Sequence, residues 1–462
     1  MHPTTTVTLV DGVRVVVPDT LDLLTPYVLQ EQQDWFEDEI KFLRRLLRPG
    51  QRVIDIGANY GVYALSMAQA VGPAGRVWAF EPASGTANLL AAGIAANGFT
   101  HVTLERSALS SASGSARLSL GPHPEMNALV RGAQPAGPTE SVPVLTLDEC
   151  LESRAWRDID FVKIDAEGEE AGILQGGPRF FARESPLVQY EVKAGQDLHL
   201  ELVGAFAALG YGSYRLVPGL DLLVPFDAGA PVDGFLLNLF CCKPDRAARL
   251  AAAGFLVEAG ARLGACEVDS AQDWRNTLAK LPYAAKLATS WEQTVAAGKS
   301  REVEEALSLY AASREASRPA AERFAALEAG FARLGKLCAA DPSYLRLSSL
   351  ARAARDYGER VTAAQALAQL GESLHQRGGA DPGEPFLAPG QRFDSVPPRG
   401  TLGEWIVAAT LEEFERAGSY SSFHTGAAAQ RRLEVIRRLG YGSVEMQRRL
   451  SLVQRRFGLP AS

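Results

Sequence analysis

The run Val53-Ile54-Asp55-Ile56-Gly57-Ala58-Asn59-Tyr60-Gly61 constrains this chain more than any other stretch. An apolar strand leads into a glycine-bracketed turn, and Val62–Val71 follows with helical character. A strand–turn–helix unit of this kind belongs to layered α/β proteins. Short apolar runs recur downstream at Arg76–Phe80, His101–Leu104, Phe161–Ile164, Leu187–Tyr190, Ser213–Leu216 and Phe235–Phe240. Several are apolar on both faces, as a parallel sheet covered by helices requires. The expectation is a doubly wound α/β domain over residues 51–244, its last two runs forming an antiparallel pair without a strong helix between them. Residues 107–145 break the rhythm with Ser, Gly and Pro. They read as an insertion above the sheet holding one or two short strands.

The flanks differ. Residues 1–50 read as a β-hairpin, Thr6–Val17, turning at Asp11-Gly12. A helix is expected next over Leu29–Leu47, with Trp35, Phe36, Ile40, Phe42, Leu43, Leu46 and Leu47 as its apolar stripe and Pro49-Gly50 as its stop. Beyond Pro244 the strand signal ends. Residues 245–375 are helical in pattern, and Leu345–Leu374 resembles one tetratricopeptide-like helix pair, short of the three units a solenoid needs. Gln376–Gly400 carries five prolines and five glycines, the composition of a linker or of an ordered coil pinned by Phe386 and Phe393. Residues 401–462 form a helical tail whose arginines come in pairs: Arg431-Arg432, Arg437-Arg438, Arg448-Arg449 and Arg455-Arg456. Arg431/Arg438 and Arg448/Arg455 are seven apart, hence on one helix face, which is either solvated or a basic surface for an anionic partner.

The net charge of −7 averages two unlike halves. Residues 1–244 hold 18 Lys/Arg and 29 Asp/Glu, and residues 245–462 hold 29 and 25. So acidic a front half argues against nucleic-acid binding there. Five cysteines, Cys150, Cys241, Cys242, Cys266 and Cys338, are too few and too irregular for a disulfide framework or zinc site. With no secretory leader and no apolar stretch of membrane-spanning length, a cytoplasmic location is expected.

Three readings of the glycine loop compete. A dinucleotide site would want Gly-x-Gly-x-x-Gly and a pyrophosphate on the helix. Here the spacing is Gly57-x3-Gly61, and Asn59 stands at the middle glycine's place. An S-adenosylmethionine site suits a loop opening with an acid, Asp55, because that cofactor ends in an ammonium and a carboxylate. Outward-facing backbone amides and close approach at Gly57 and Gly61 would serve such a ligand. The plain alternative is a glycine turn of structural use only. Glu81, after the next strand in Phe80-Glu81-Pro82, counts against that, since a carboxylate there can accept from both ribose hydroxyls.

A second constellation is Phe161-Val162-Lys163-Ile164-Asp165-Ala166-Glu167-Gly168-Glu169-Glu170. Asp165 falls at the carboxyl end of a strand, where ligands bind in open sheets. Glu167 follows on the loop, and Glu169 and Glu170 suit a helix start. Lys163 could pair with a neighbouring acid. For chemistry at a hydroxyl the candidate bases are Asp165, Glu167 and Glu191, the last ending the next strand. These three could instead hold a divalent cation, though no spacing demands one and no metal is assigned. His199, on an expected helix Gly195–Leu209, reads as a partly exposed helix residue, and His123 as a residue that could reach the site from a lid.

Together, Val53–Gly61, Phe80-Glu81-Pro82, Leu145-Thr146-Leu147-Asp148, Phe161–Gly168 and Gln175-Gly176-Gly177 resemble the FkbM family of S-adenosylmethionine-dependent methyltransferases over about residues 40–244. The resemblance implies a class I methyltransferase Rossmann-like fold with a mostly parallel seven-stranded sheet. It implies O-methylation, often of a sugar or another hydroxylated metabolite. Asp55, Gly57, Asn59 and Gly61 would line the methionine end of the cofactor. Glu81 would hold the ribose, Ser107 and Ala108 would border the adenine, and Asp165 would close the pocket towards substrate. The expected partner is a hydroxylated small molecule or glycan rather than nucleic acid, with a homodimer or protein partner through the helical half. The competing view is a methyltransferase-fold scaffold whose helical half is an interaction module.

Overall fold

β1 (Thr4–Thr8) pairs antiparallel with β2 (Arg14–Pro18), Thr4 lying opposite Pro18 and Thr8 opposite Arg14. The computed structural model describes residues 3–130, 137–194, 197–260, 273–298, 301–377, 380–381 and 383–460. The hairpin turns at Asp11-Gly12: Gly12 has φ of 84°, and the Val13 amide donates to Asp11 Oδ1 at 3.2 Å. The single helix expected over Leu29–Leu47 is two helices, α1 (Leu24–Gln32) and α2 (Asp38–Leu46). Gln33 turns left-handed, with φ of 55°, and its amide closes on the Leu29 carbonyl at 2.9 Å. Arg44 then pins the connection, donating to both Asp34 oxygens at 2.8 Å and pairing with Asp11 at 2.8 Å. Trp35, Phe36 and Glu37 therefore lie in a loop and not on a helical stripe.

The central layer comprises β3 (Arg52–Ile56), α3 (Val62–Val71), β4 (Arg76–Phe80), α4 (Ser84–Asn97) and β5 (Val102–Glu105). The insertion holds four strands where one or two were expected: β6 (Ala108–Leu109), β7 (Gly114–Ser119), β8 (Ala128–Leu129) and β9 (Thr139–Leu145), ordered β6-β9-β7-β8. Alternation in β7 and β9 turns Leu118 and Val142 onto a small apolar cluster with Ala83, which is why so polar a stretch still pairs. Next come α5 (Leu147–Ser153), β10 (Phe161–Ile164), α6 (Glu170–Gln175), α7 (Pro178–Arg183) and β11 (Leu187–Glu191). A small pair, β12 (Lys193–Ala194) and β13 (Asp197–Leu198), precedes α8 (Glu201–Ala208). Then follow β14 (Gly212–Val217), β15 (Leu222–Pro225), β16 (Asn238–Cys242) and α9 (Pro244–Ala252).

The main sheet runs β15-β14-β16-β11-β10-β3-β4-β5. Pairings from β11 to β5 are parallel, and β16 is antiparallel to both β11 and β14. This is the class I methyltransferase arrangement with an eighth strand, β15, at one edge. The expected antiparallel pair is β14 and β16. The stretch between them hides a strand because Leu222, Leu223 and Val224 are buried. Period-two alternation sorts the sheet into two cores: Val53, Phe161, Leu187 and Phe240 on one face, Ile54, Val162, Val188 and Leu239 on the other. Cys241 and Cys242 are buried on opposite faces, and Cys150 and Cys338 are buried too; all four are free thiols. Cys266 lies outside the described residues.

The chain divides into two compact units, one of Met1–Leu216, Leu223–Val232 and Leu236–Glu258, the other of Val217–Leu222, Asp233–Phe235 and Ala259–Ser462. In the second unit α10 (Asp273–Thr277), α11 (Ala288–Ala296), α12 (Arg301–Ser313), α13 (Ala320–Ala340), α14 (Tyr344–Tyr357), α15 (Arg360–Arg377) and α16 (Leu402–Ala417) are followed by α17 (Ser422–Thr425), α18 (Ala428–Arg438) and α19 (Val444–Phe457). From α12 to α16 each helix packs on the next in sequence. The expected pair is α14 and α15, joined at Gly358 with φ of 101°. Phe386 and Phe393 are buried against Trp405, so the Pro/Gly segment is an ordered coil where it is described. The arginine pairs split: Arg432 bonds Glu415, Arg449 is buried on the Glu415 carbonyl, and Arg456 covers the Phe423 ring, while Arg431, Arg438 and Arg455 are exposed. Among the described residues no helix is long and apolar enough to cross a membrane.

Candidate active site

The turn after β3 is rigid. Gly57, Asn59 and Gly61 take φ of 81°, 50° and 89°, and every amide from Gly57 to Gly61 is already bonded. Gly57 and Ala58 both donate to the Phe80 carbonyl, at 3.1 and 2.9 Å, and Gly61 donates to Ala58 at 2.8 Å. The Asn59 amide donates to Glu81 at 2.9 Å, and that of Tyr60 to the Asn59 side chain at 2.8 Å. This corrects the expectation of outward-facing amides and leaves the turn no cradle for a pyrophosphate. The close approaches at the glycines are internal as well. A Cβ on Gly57 would meet the Asp165 carbonyl oxygen at 1.7 Å, and one on Gly61 the Leu90 side chain at 2.3 Å.

One cavity opens at the carboxyl ends of β3, β4 and β10, lined by Asp55, Gly57, Asn59, Glu81, Ser107, Ala108, Asp165 and Glu167. It thus gathers every expected cofactor residue except Gly61, which lies behind it on Leu90. Asp55 is fully buried and neither carboxylate oxygen meets a donor. Burial pushes its pKa to about 6, against the pull of the nearby Lys163 charge. Glu81 accepts from the Asn59 amide and, at 2.8 Å, from the Ala83 amide, yet burial raises it to about 7. Ser107 is 4% exposed, and its hydroxyl has no partner. Buried polar atoms without hydrogen bonds are rare in native folds, and those of Asp55 and Ser107 belong to residues lining one cavity.

Lys163 supplies the positive charge. Its side chain is 4% exposed, its Nζ lies 2.5 Å from Asp165 and 4.9 Å over the Tyr63 ring, and the acids around it push its pKa up despite burial. The loop beyond β10 bends through Glu167 (φ 49°) and Gly168 (φ 93°) and is tied down by Glu170, which accepts from the Ala166 amide at 2.9 Å. Carboxylate oxygens of Asp165, Glu167 and Glu191 come within 4.8 Å of one another. Burial and this crowding push Glu167 to about 8 and Glu191 to about 10. Glu191 joins the cluster without lining the cavity.

The histidines fall elsewhere. His199 precedes α8, where the expected helix Gly195–Leu209 is shortened at its start, and pairs with Glu201 at 2.8 Å away from the cavity. His123 does not line the cavity either; Glu125, two residues on, does. Glu125 accepts from the amide of Thr25 at 3.1 Å and from its hydroxyl. Sequence reasoning also passed over Trp35, Glu37 and Tyr63, all lining the cavity. Tyr63 donates to Glu37, and Asn238 donates to the same oxygen at 3.2 Å. Glu37 falls inside the helix expected over Leu29–Leu47, and its convergence with Tyr63 exists only in the fold.

The sheet order, the antiparallel β16 and an acid-lined cavity at the carboxyl ends of parallel strands define a class I, S-adenosylmethionine-dependent methyltransferase fold. Residues 55–212 match the family described as Methyltransferase FkbM domain. No curated protein matches the chain. Among solved structures it is similar to methyltransferase FkbM from Methylobacillus flagellatus KT, at 15% identity and a TM-score of 0.29, over 42% of this chain and 43% of that one. It is similar also to an SAM-dependent O-methyltransferase from Thermotoga maritima, at 14% identity and 0.27, over 50% and 73% of the two chains. A third is a putative methyltransferase from Streptococcus mutans in complex with SAH, at 10% identity and 0.28, over 44% and 95%.

Proposed function

We propose that this chain is an S-adenosylmethionine-dependent O-methyltransferase acting on a hydroxyl of a sugar, a glycan or another hydroxylated metabolite. The observation that carries the reading is the joint presence, on one cavity, of Asp55 and Glu167. The first is a buried carboxylate whose oxygens make no hydrogen bond, and the second a carboxyl tuned towards neutral pH. Asp55 suits the cofactor's ammonium, Glu81 its ribose, and Ser107 with Ala108 its adenine. Gly57 and Asn59 shape the floor of the cavity. When bound, the cofactor contributes a methyl group on a sulfonium, already activated for transfer to oxygen.

The protein's own part is alignment and proton handling. Holding donor and hydroxyl in attack geometry is worth up to about 7–11 kcal/mol. A sugar hydroxyl also needs its proton removed, and a base works best with a pKa near ambient pH. Glu167 meets that condition better than Glu191, which is pushed higher, or Asp165, whose oxygen is held by Lys163. Lys163 is a positioning residue: it fixes Asp165 at the cavity wall. The scaffold alternative would have no use for a buried Asp55 whose oxygens make no hydrogen bond. Buried free thiols suit a reducing compartment, and we place the protein in the cytoplasm.

Calorimetric titration of the purified chain with S-adenosylmethionine and its demethylated product tests the reading. Binding is expected, with Asp55→Asn and Glu81→Gln each weakening it at least about tenfold, the loss of one charge-assisted contact. Folded protein that takes up neither ligand would sink it.

A further inference from the structure

Lys163 has two acids beside it and bonds only one. In the sheet it lies level with Asp55 on β3 and with Gln189 on β11, so the three side chains leave the same face. Its ammonium nevertheless bonds Asp165 at 2.5 Å, and neither Asp55 oxygen accepts a hydrogen bond. A lysine stem is long and its three donors rotate, so one ion pair does not by itself commit it to one acid. The other contact is the Tyr63 ring, whose centroid lies 4.9 Å from Nζ. Lys163 and Tyr63 are both buried. A cation over a ring face out of water gains as much as roughly thirtyfold in an equilibrium constant.

The ring is itself held at its far end. Tyr63 lies in the first turn of α3, and its hydroxyl donates to Glu37 and accepts from Gln189 at 3.4 Å. Asn238 donates at 3.2 Å to the same Glu37 oxygen. These ties come from the loop between α1 and α2, from β11 and from the start of β16, and Glu37 and Asn238 stand outside the family-matched stretch. Resting on the methyltransferase reading above, we infer that Tyr63 is a positioning residue that selects the partner of Lys163. It holds the ammonium on Asp165 and so keeps the Asp55 oxygens open for the ammonium of the cofactor. Without the ring face, Lys163 is free to turn to the adjacent strand and to close the acid that the ligand needs.

The test is calorimetric titration of the full chain with S-adenosylhomocysteine, with Tyr63 replaced by phenylalanine, by a trifluorinated phenylalanine and by leucine. Phenylalanine keeps the ring and its negative face. The fluorinated ring keeps the packing but loses that face, a change that a merely structural tyrosine would not register. Tyr63→Phe should bind within about threefold of the unmodified chain, the fluorinated variant at least about threefold more weakly than Tyr63→Phe, and Tyr63→Leu at least about tenfold more weakly than the unmodified chain. In an Asp55→Asn background, fluorination should change the affinity less than about twofold, because the acid it protects is gone. Equal affinities of the phenylalanine and fluorinated chains overturn the inference, and so does the same loss in both backgrounds. A Tyr63→Leu chain that fails to fold leaves the fluorinated ring to decide. An unmodified chain that does not bind S-adenosylhomocysteine defeats the methyltransferase reading; one that binds it without regard to the ring face defeats this inference alone.

Discussion

The carbonyl oxygen of Asp165 occupies the space that a side chain on Gly57 would need, 1.7 Å from the Cβ position. The strand end that carries the candidate chemistry is thereby packed directly on the glycine turn after β3, backbone to backbone. Gly57→Ala must move one of them, and it meets the positive φ of 81° besides. A loss of about 3 kcal/mol or more is expected, at the severe end for a single substitution. Chemical denaturation measures it, and an unchanged midpoint would show that the two segments are not in contact.

Lys163 and Asp165 form the next dependency. Lys163→Met keeps the volume of the stem but leaves Asp55 and Asp165 without their counter-charge. Breaking a buried pair from one side costs about 3–5 kcal/mol, less here because the Asp165 side chain is 33% exposed. Adding Asp165→Asn should recover part of the loss, and the double-mutant cycle separates pairing from packing. If the two single losses simply add, Lys163 does not act through Asp165.

What could be read before folding was the framework. Alternation in β3, β10 and β11 and the order of acids at Asp55, Glu81, Asp165 and Glu167 are local in sequence, so period and position carried them. The misses have one physical source. Gln33 entering the left-handed region has no strong sequence marker, and it is what takes Trp35 and Glu37 out of the expected helix and onto a cavity wall. The direction of the loop amides was misread for a related reason: their acceptors, Phe80 and Glu81, belong to another strand end. Glu125 was missed because its partner, Thr25, lies a hundred residues away.

Stability should run against the usual trend for carboxylates, which the fold more often lowers than raises. Asp55, Glu81 and Glu167 are raised in the fold, to about 6, 7 and 8. A raised carboxyl means that the folded state binds more protons than the unfolded one, so stability falls as pH climbs from the unfolded value near 4 through these three. The ligand-free protein should therefore melt at lower temperature at pH 8 than at pH 5.5. Glu167→Gln should flatten the upper part of that slope. Turnover should move the other way, rising with pH through about 8 as Glu167 ionises to act as base, and that limb should vanish in the same variant. A melting temperature that increases with pH would contradict the raised values.

Glu412 plays in the helical unit the part that Lys163 plays in the catalytic one. It is fully buried, it pairs with Arg392 at 2.6 Å and Arg416 at 2.9 Å, and one of its oxygens accepts from the Ser443 amide at 3.3 Å. Arg416 reaches on to Glu445, which also holds the buried Arg449 at 3.0 Å. One carboxylate thus ties the coil around Phe393 and the start of α19 to α16. Glu412→Gln keeps the shape but leaves two guanidinium groups sharing a neutral acceptor, and a loss of about 3–5 kcal/mol is expected. The substitution should lower the unfolding midpoint of the helical unit while leaving S-adenosylhomocysteine binding by the other unit intact. Equal loss of both would mean that the two units unfold as one cooperative body.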